Sequence, residues 1–256
     1  MGYDKNGYLL LKKFYDPSDL KELYSILITF HEAWKKDNSD FYSKRAINSA
    51  YLTSPKYLSP NDREELFKFI GSSKLMGILS SLIPDKAMFM NTQLFFNPVN
   101  KEQKNYWHRD PQYVLSLDDQ QKALKKSKVL HFRIPLHDEP GIELVPGTHK
   151  RWDSKEELEV RLETNGKKNN DDLSSGLKIN LEAGDLLIFS ANMIHRGLYG
   201  MNRFALDILF CDSDVELAQF VDLDCLPGKA ELAKIENSEI FENALFLKNK
   251  FKAEPQ

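Results

Sequence analysis

The chain has 256 residues with 35 basic and 38 acidic side chains, and its net charge of −3 supplies no field strong enough to recruit nucleic acid. A compact fold of this length buries about three-quarters of its unfolded surface, and two cysteines, Cys211 and Cys225, are too few for a disulfide framework and lack zinc-type spacing. With no signal-peptide-like apolar segment at the N-terminus and no apolar run of about 18 residues, the expectation is a soluble, cytoplasmic protein with reduced thiols and neither a nucleic-acid nor a membrane partner.

Gly7–Lys12 reads as a short strand. Asp16 then offers an N-cap and Pro17 a first helical residue, and Leu20, Leu23, Tyr24, Leu27, Phe30 and Trp34 recur at the spacing of an amphipathic helix. His31 lies beside that buried stripe and reads as a structural or surface histidine. Ser59-Pro60-Asn61-Asp62 opens a second helical stretch, and Leu75, Ile78, Leu79 and Leu82 continue the pattern until Pro84 stops it. The character then changes. Ala87–Phe96, Tyr106–Asp110, Lys128–Leu136, Ile142–Val145, Leu177–Asn180, Asp185–Phe189 and Arg203–Cys211 are short apolar segments between turns, as in an all-β sandwich or barrel. Asp153–Glu163 reads as a short charged helix, Asn165–Gly176 as a polar mobile loop, and Lys229–Lys250 as helices packed outside the sheets. This order suits a mainly β fold with flanking helices, a double-stranded β-helix (jelly roll, cupin-like). A single domain over 1–256 is expected, with N-terminal helices at about 16–83, the core at about 87–212 and C-terminal helices at about 229–250. No coiled-coil or interface pattern fixes an oligomeric state.

The chemistry concentrates in Trp107-His108-Arg109-Asp110 and in Ile194-His195-Arg196-Gly197, followed by Arg203. On a strand, residues i and i+2 project from one face about 6.5 Å apart, so His108 and Asp110 can reach one metal. With His195 they form a two-histidine, one-carboxylate set, and nitrogen and oxygen donors of this kind suit Fe(II) while leaving positions open. The spacing alone is weak. With 6 His and 38 acidic residues in the chain, chance supplies about one His-x-acid match, and a second occurs at His137-Asp138-Glu139. That one runs into Pro140-Gly141 and reads as a strand end with solvated polar residues.

Four segments in order resemble the phytanoyl-CoA dioxygenase family of Fe(II)- and 2-oxoglutarate-dependent oxygenases. They are Asn6-Gly7-Tyr8-Leu9-Leu10-Leu11 with Asp16-Pro17, the His108 motif, Leu144-Val145-Pro146-Gly147-Thr148-His149-Lys150, and Ala183-Gly184-Asp185-Leu186-Leu187-Ile188-Phe189 leading into His195. The resemblance implies His108, Asp110 and His195 as catalytic iron ligands and 2-oxoglutarate as cosubstrate, decarboxylated to succinate and CO2 while dioxygen hydroxylates a small organic molecule. Because Asp110 is retained, no ligand position is vacated for halide, which favours hydroxylation over halogenation.

By the same resemblance Arg203 pairs with the distal carboxylate of 2-oxoglutarate. A structural ion pair with Asp207 or Asp185 is the plainer account, and Arg196 and Arg133 are the alternatives. Gln93 is a candidate to hydrogen-bond the cosubstrate or equally a satisfied core amide, with Asn91 weaker, and Thr148 and His149 are expected to shape the rim, with turn formation by Pro146-Gly147 the plainer account. The chain departs from the family in three places. The turn Gly197–Asn202 is short, Gly197 stands where a hydroxyl residue is common, and Arg133 stands where a tryptophan often faces the cosubstrate. Arg133 and His131 share one face by parity. If both point inward they favour an anionic substrate, and if outward they are surface charges. Two other classes compete: a non-catalytic jelly roll that binds metal or a carboxylate, and a cupin-like isomerase or hydrolase using another divalent metal.

Overall fold

A computed structural model describes residues 2–126 and 128–253, so the outermost residues of the expected 1–256 domain, and Ser127, lie outside the described residues. In chain order the elements are α1 (Tyr3–Asn6), β1 (Tyr8–Leu11), α2 (Pro17–Asp37), α3 (Ser39–Lys44), β2 (Asn48–Ala50), α4 (Pro60–Ile70), α5 (Ser73–Leu82), β3 (Ala87–Phe96), α6 (Leu117–Ala123), β4 (Val129–Pro135), β5 (Glu139–Leu144), α7 (Lys155–Arg161), β6 (Leu177–Leu181), β7 (Leu186–Ser190), β8 (His195–Gly197), β9 (Phe204–Asp212), α8 (Lys229–Leu232) and α9 (Glu239–Ala253).

The strands form a six-stranded sheet in the order β1-β7-β4-β9-β3-β2 and a three-stranded sheet β6-β5-β8, the two walls of a double-stranded β-helix. Strand parity divides the larger sheet. Leu130, Phe132 and Ile134 of β4 and Leu206, Ile208 and Phe210 of β9 join the core shared with the helices, while His131, Arg133 and Asp207 line a cavity between the sheets. A smaller core of Ile142, Leu144, Ile179, Leu187 and Phe189 closes the rest of the inter-sheet space.

The helices cover the outer face of the large sheet. At the start of α2, Pro17 fixes the first turn and the Asp19 carboxylate accepts the Asp16 N–H at 3.2 Å, satisfying a donor at the helix entry. Ser59 Oγ accepts from Asp62 N at 3.1 Å to cap α4. The α9 residue Phe241 lies 5.1 Å from Phe89 of β3 and 5.4 Å from Phe67 of α4, ring centre to ring centre. Burying one such aromatic contributes roughly 1.5–3 kcal/mol, so these contacts fix the sheet's back and leave its front for the site. His31 is buried in α2 against Phe96 at 4.7 Å, a core position.

Two expected elements differ. Tyr106–Asp110 is not a strand: His108 makes one isolated bridge to His195 and Asp110 opens a 3-10 turn over Asp110–Tyr113. Pro111 explains this, because it has no N–H for a ladder and its fixed φ suits the first turn of a helix. Nor is 165–176 free of the fold. Trp107 N donates to Asn169 O at 2.8 Å, Trp107 Nε1 donates to Asp171 O at 2.9 Å, and Leu173 is buried. The segment is held down because the buried indole N–H beneath it needs an acceptor.

Candidate metal centre

The backbone brings the three donors together before any metal is considered. His108 N donates to His195 O at 3.0 Å and His195 N returns the bond to His108 O at 2.9 Å, while Asp110 N donates to Ala191 O at 3.1 Å. One potential ligand atom from each of His108, Asp110 and His195 lies within 4.8 Å of the others. Asp110 Oδ1 is 3.5 Å from His108 Nε2 and 3.6 Å from His195 Nε2. These separations leave room for one ion among them.

Each ligand is also prepared. His108 Nδ1 is 3.1 Å from Tyr106 O and His195 Nδ1 is 3.0 Å from Met193 O. A carbonyl can only accept, so each Nδ1 carries the proton and each Nε2 lone pair faces the centre. Burial holds both imidazoles neutral, with His108 lowered and His195 brought down to about 3. Asp110 is the opposite case. Burial opposes its charge, yet the neighbouring His131 cation and its hydrogen bond hold the carboxyl well below the usual range. At neutral pH the set can take a divalent ion without first losing a proton.

His131 faces inward, which resolves the two orientations left open by the sequence. Its Nε2 donates to Asp110 Oδ2 at 2.6 Å and its Nδ1 donates to Asp207 Oδ2 at 3.2 Å, with the ring stacked 4.6 Å from Phe189. Burial disfavours its charge, but the two carboxylates outweigh that and raise it to about 9. The Asp110 carboxylate is thereby split. Oδ2 is held by His131, and Oδ1 is turned toward the two imidazoles.

A cavity of about 450 Å³ extends from the three donors into the barrel. Arg133 and Arg203 line it, 2% and 3% exposed. Arg133 Nε donates to Glu139 Oε1 at 3.2 Å and its Nη1 lies 3.6 Å from Asp207 Oδ2. Arg203 lies over the Phe95 and Tyr199 rings, 5.3 and 5.5 Å from their centres, and its nearest carboxylate contact is a long one, Nε to Glu139 Oε2 at 4.0 Å. Its Nε and Nη1, with Arg133 Nη2, are buried without a hydrogen-bond partner. Burial and the Arg133 charge lower Arg203 to about 10, still protonated at neutral pH. An unpartnered buried cation is costly, so the wall fits a missing anion.

The expected alternatives separate cleanly. Arg203 pairs with neither Asp207 nor Asp185, since Asp185 binds Lys12 at 2.8 Å. Arg196 points away from the cavity, held by Glu143 at 2.6 Å, by Asp172 at 2.5 Å and by Asn170 O at 3.0 Å. Gly197 has a reason to lack a side chain: a Cβ there would stand 2.5 Å from Arg203 Nη2. Gln93 reaches the cavity wall, whereas Asn91 lies in a neighbouring one and accepts Thr92 N at 2.7 Å. Thr148 and His149 do not form the rim. Thr148 is fully buried, donates to Val145 O and accepts Ile194 N at 3.0 Å, and His149 packs on Tyr3. His137 and Asp138 are at the surface, but Glu139 is 2% exposed and partners Arg133, so that segment is not a wholly solvated strand end.

Arg109 is the residue the sequence concealed. It is 1% exposed, and it donates to Asp153 Oδ1 at 2.9 Å, Thr148 O at 2.6 Å, Arg151 O at 3.1 Å and Asn192 O. One guanidinium ties the first ligand segment to the Pro-Gly-Thr-His loop and to the loop before His195. Its one signal was a charged residue placed between two candidate ligands.

Residues 3–199 match the family model of phytanoyl-CoA dioxygenase (PhyH). The chain belongs to the phytanoyl-CoA dioxygenase family. No curated protein matches it in sequence. Among solved structures, this phytanoyl-CoA dioxygenase family member is similar to AviO1 from Streptomyces viridochromogenes Tue57, at 16% identity and TM-score 0.58 over 82% of this chain and 91% of that one. The apoform of EctD from S. alaskensis matches at 13% identity and TM-score 0.59 over 83% and 75%; EctD has also been solved with Fe, and with 2-oxoglutarate and 5-hydroxyectoine. SnoK, a non-heme alpha ketoglutarate dependent carbocyclase from nogalamycin biosynthesis, matches at 16% identity and TM-score 0.51 over 83% and 82%. At these identities the likeness establishes the shared double-stranded β-helix. Among the described residues no helix is long and apolar enough to cross a membrane.

Proposed function

We propose that the protein is an Fe(II)- and 2-oxoglutarate-dependent dioxygenase that hydroxylates a small organic molecule. His108 Nε2, His195 Nε2 and Asp110 Oδ1 would hold the iron. Three protein donors would leave it room to take the cosubstrate and dioxygen. With iron and 2-oxoglutarate bound, dioxygen is divided: one atom goes to succinate as CO2 leaves, and the other enters a substrate C–H bond.

The protein's own residues bind and orient. Arg203 receives the distal carboxylate of 2-oxoglutarate through guanidinium N–H groups that have no protein acceptor, and a planar fork that stays charged suits a carboxylate. Arg133 adds a second positive group, and Gln93 offers an amide from β3. His131 fixes the Asp110 carboxylate. Phe189, Ile142 and Leu209 provide apolar wall beside these groups, which limits water near the reacting centre.

The observation that carries this reading is the meeting, in one cavity, of a prepared two-histidine, one-carboxylate set and a buried arginine whose Nε and Nη1 have no hydrogen-bonded acceptor. Succinate release from 2-oxoglutarate, with Fe(II) and ascorbate supplied, tests it. The wild-type protein is expected to release succinate even without prime substrate, and Asp110→Asn to release none above the metal-free background. Equal release by the two proteins sinks the reading. Turnover under strict anaerobiosis points instead to an isomerase or hydrolase.

A further inference from the structure

A second cavity, of about 480 Å³, lies at the mouth of the barrel and shares Gln93, Asp110 and Leu209 with the first. Its volume is in the range of small-molecule sites, and anything seated there reaches the carboxylate that orients the metal. We propose that this cavity holds the prime substrate, and that the substrate is an uncharged, predominantly apolar molecule. The proposal rests on the oxygenase reading for its chemistry, R–H + O2 + 2-oxoglutarate giving R–OH + succinate + CO2, but not for its binding preference.

Charged residues line both cavities, but only in the first do lining residues leave buried polar atoms without partners. Arg133, Arg203 and Asp207, which line the first cavity, each leave a buried polar atom without a partner. Among the described residues, none that lines the second leaves a buried side-chain polar atom unpartnered. Its wall is instead built from Met90, Val114, Leu115, Val129, Leu217 and Phe220, contributed by β3, the turn after Asp110, β4 and the 3-10 helix Leu217–Phe220. The lysines that line it are at the rim and already paired, Lys122 with Asp119 at 2.8 Å and Lys126 with Glu216 at 3.1 Å, with all four side chains at least half exposed. A charged head group entering the apolar part loses its hydration without a buried partner to replace it.

The surface at the mouth agrees. Immediately after the Asp110 turn the chain exposes Tyr113, Val114, Leu115 and Leu117, of which Val114 is 61% exposed. Single exposed apolar side chains are common, but a cluster beside a cavity marks a place that an apolar partner covers. The inward arginines therefore serve the cosubstrate, and the conditional expectation of an anionic substrate is replaced by a neutral one.

The test uses the whole protein with Mn(II) and 2-oxoglutarate under anaerobic conditions. The neutral dye Nile red is the probe, and decan-1-ol and decanoate, one carbon chain with two head groups, are competitors. Decan-1-ol is expected to displace the dye about tenfold more tightly than decanoate, and Val114→Asp to weaken dye binding about tenfold, a change of roughly 1.4 kcal/mol. Val114→Asn, which adds polarity without charge, is expected to fall between. An exposed position keeps both variants folded, and thermal melting checks this. Equal or tighter binding of decanoate, no dye binding, or dye binding insensitive to Val114→Asp each overturns the proposal. Calorimetric titration of 2-oxoglutarate on the same samples reports separately on the oxygenase reading, since its failure leaves the dye result standing.

Discussion

Arg196 and Arg203 sit on either side of the same short turn, yet the protein treats them oppositely. Arg196 spends its guanidinium on Glu143, Asp172 and a backbone carbonyl, as Arg109 does on Asp153 and three carbonyls. Arg203 is as deeply buried and has no hydrogen-bonded acceptor for Nε or Nη1. The first pair of arginines ties down the loops around the three donors; the other keeps N–H groups unpartnered in the cavity. Pairing state, more than closeness to a histidine in the sequence, separates structure from function here.

Substitution makes that contrast measurable. Arg109→Ala leaves Asp153 Oδ1 and three carbonyls without their donor, although Arg161 keeps Asp153 Oδ2 at 2.8 Å; at about 1–3 kcal/mol for each unsatisfied buried group, a loss of about 3–5 kcal/mol is expected, read as a large drop in denaturation midpoint before any assay is possible. Arg203→Met removes a cation whose Nε and Nη1 have no hydrogen-bonded acceptor and whose one carboxylate contact, with Glu139, is long at 4.0 Å. Its unfolding midpoint is expected to hold or rise, while 2-oxoglutarate binding weakens by about 2–4 kcal/mol, roughly 30- to 1000-fold. If Arg203→Met melted like Arg109→Ala, the distinction would collapse. A smaller effect belongs to His131, which contacts the ligand and not the proposed cosubstrate. His131→Leu is expected to weaken Mn(II) binding about 10- to 100-fold, measured by metal titration without turnover, and His131→Gln, which keeps one donor for Asp110, to recover part of it.

Much of this was legible in the chain. The His108, Asp110 and His195 donors meet, Arg203 and Gln93 line the same cavity, and the apolar alternation of Leu130, Phe132 and Ile134 against His131 and Arg133 held the clue that the polar face looks into the barrel. The reason that His108 and Asp110 meet was misread, because strand parity was applied across a segment that Pro111 turns into a helix. Glu139, Asp207 and Arg109 were hidden for another reason. Their partners lie on different strands or loops: the register of β4 against β9 sets Arg133 opposite Asp207, Arg133 also reaches Glu139 of β5, and Arg109 reaches Asp153 and Thr148 O in later loops. The 165–176 segment looked mobile because its polarity is visible in sequence and the indole that anchors it is not adjacent.

The most direct measurement is a crystal structure with Mn(II) and 2-oxoglutarate. The expected density places one ion within about 2.0–2.3 Å of His108 Nε2, His195 Nε2 and Asp110 Oδ1, with the distal carboxylate of 2-oxoglutarate on Arg203. An ion bound away from these three atoms, or a distal carboxylate that leaves Arg203 without an acceptor, contradicts the account.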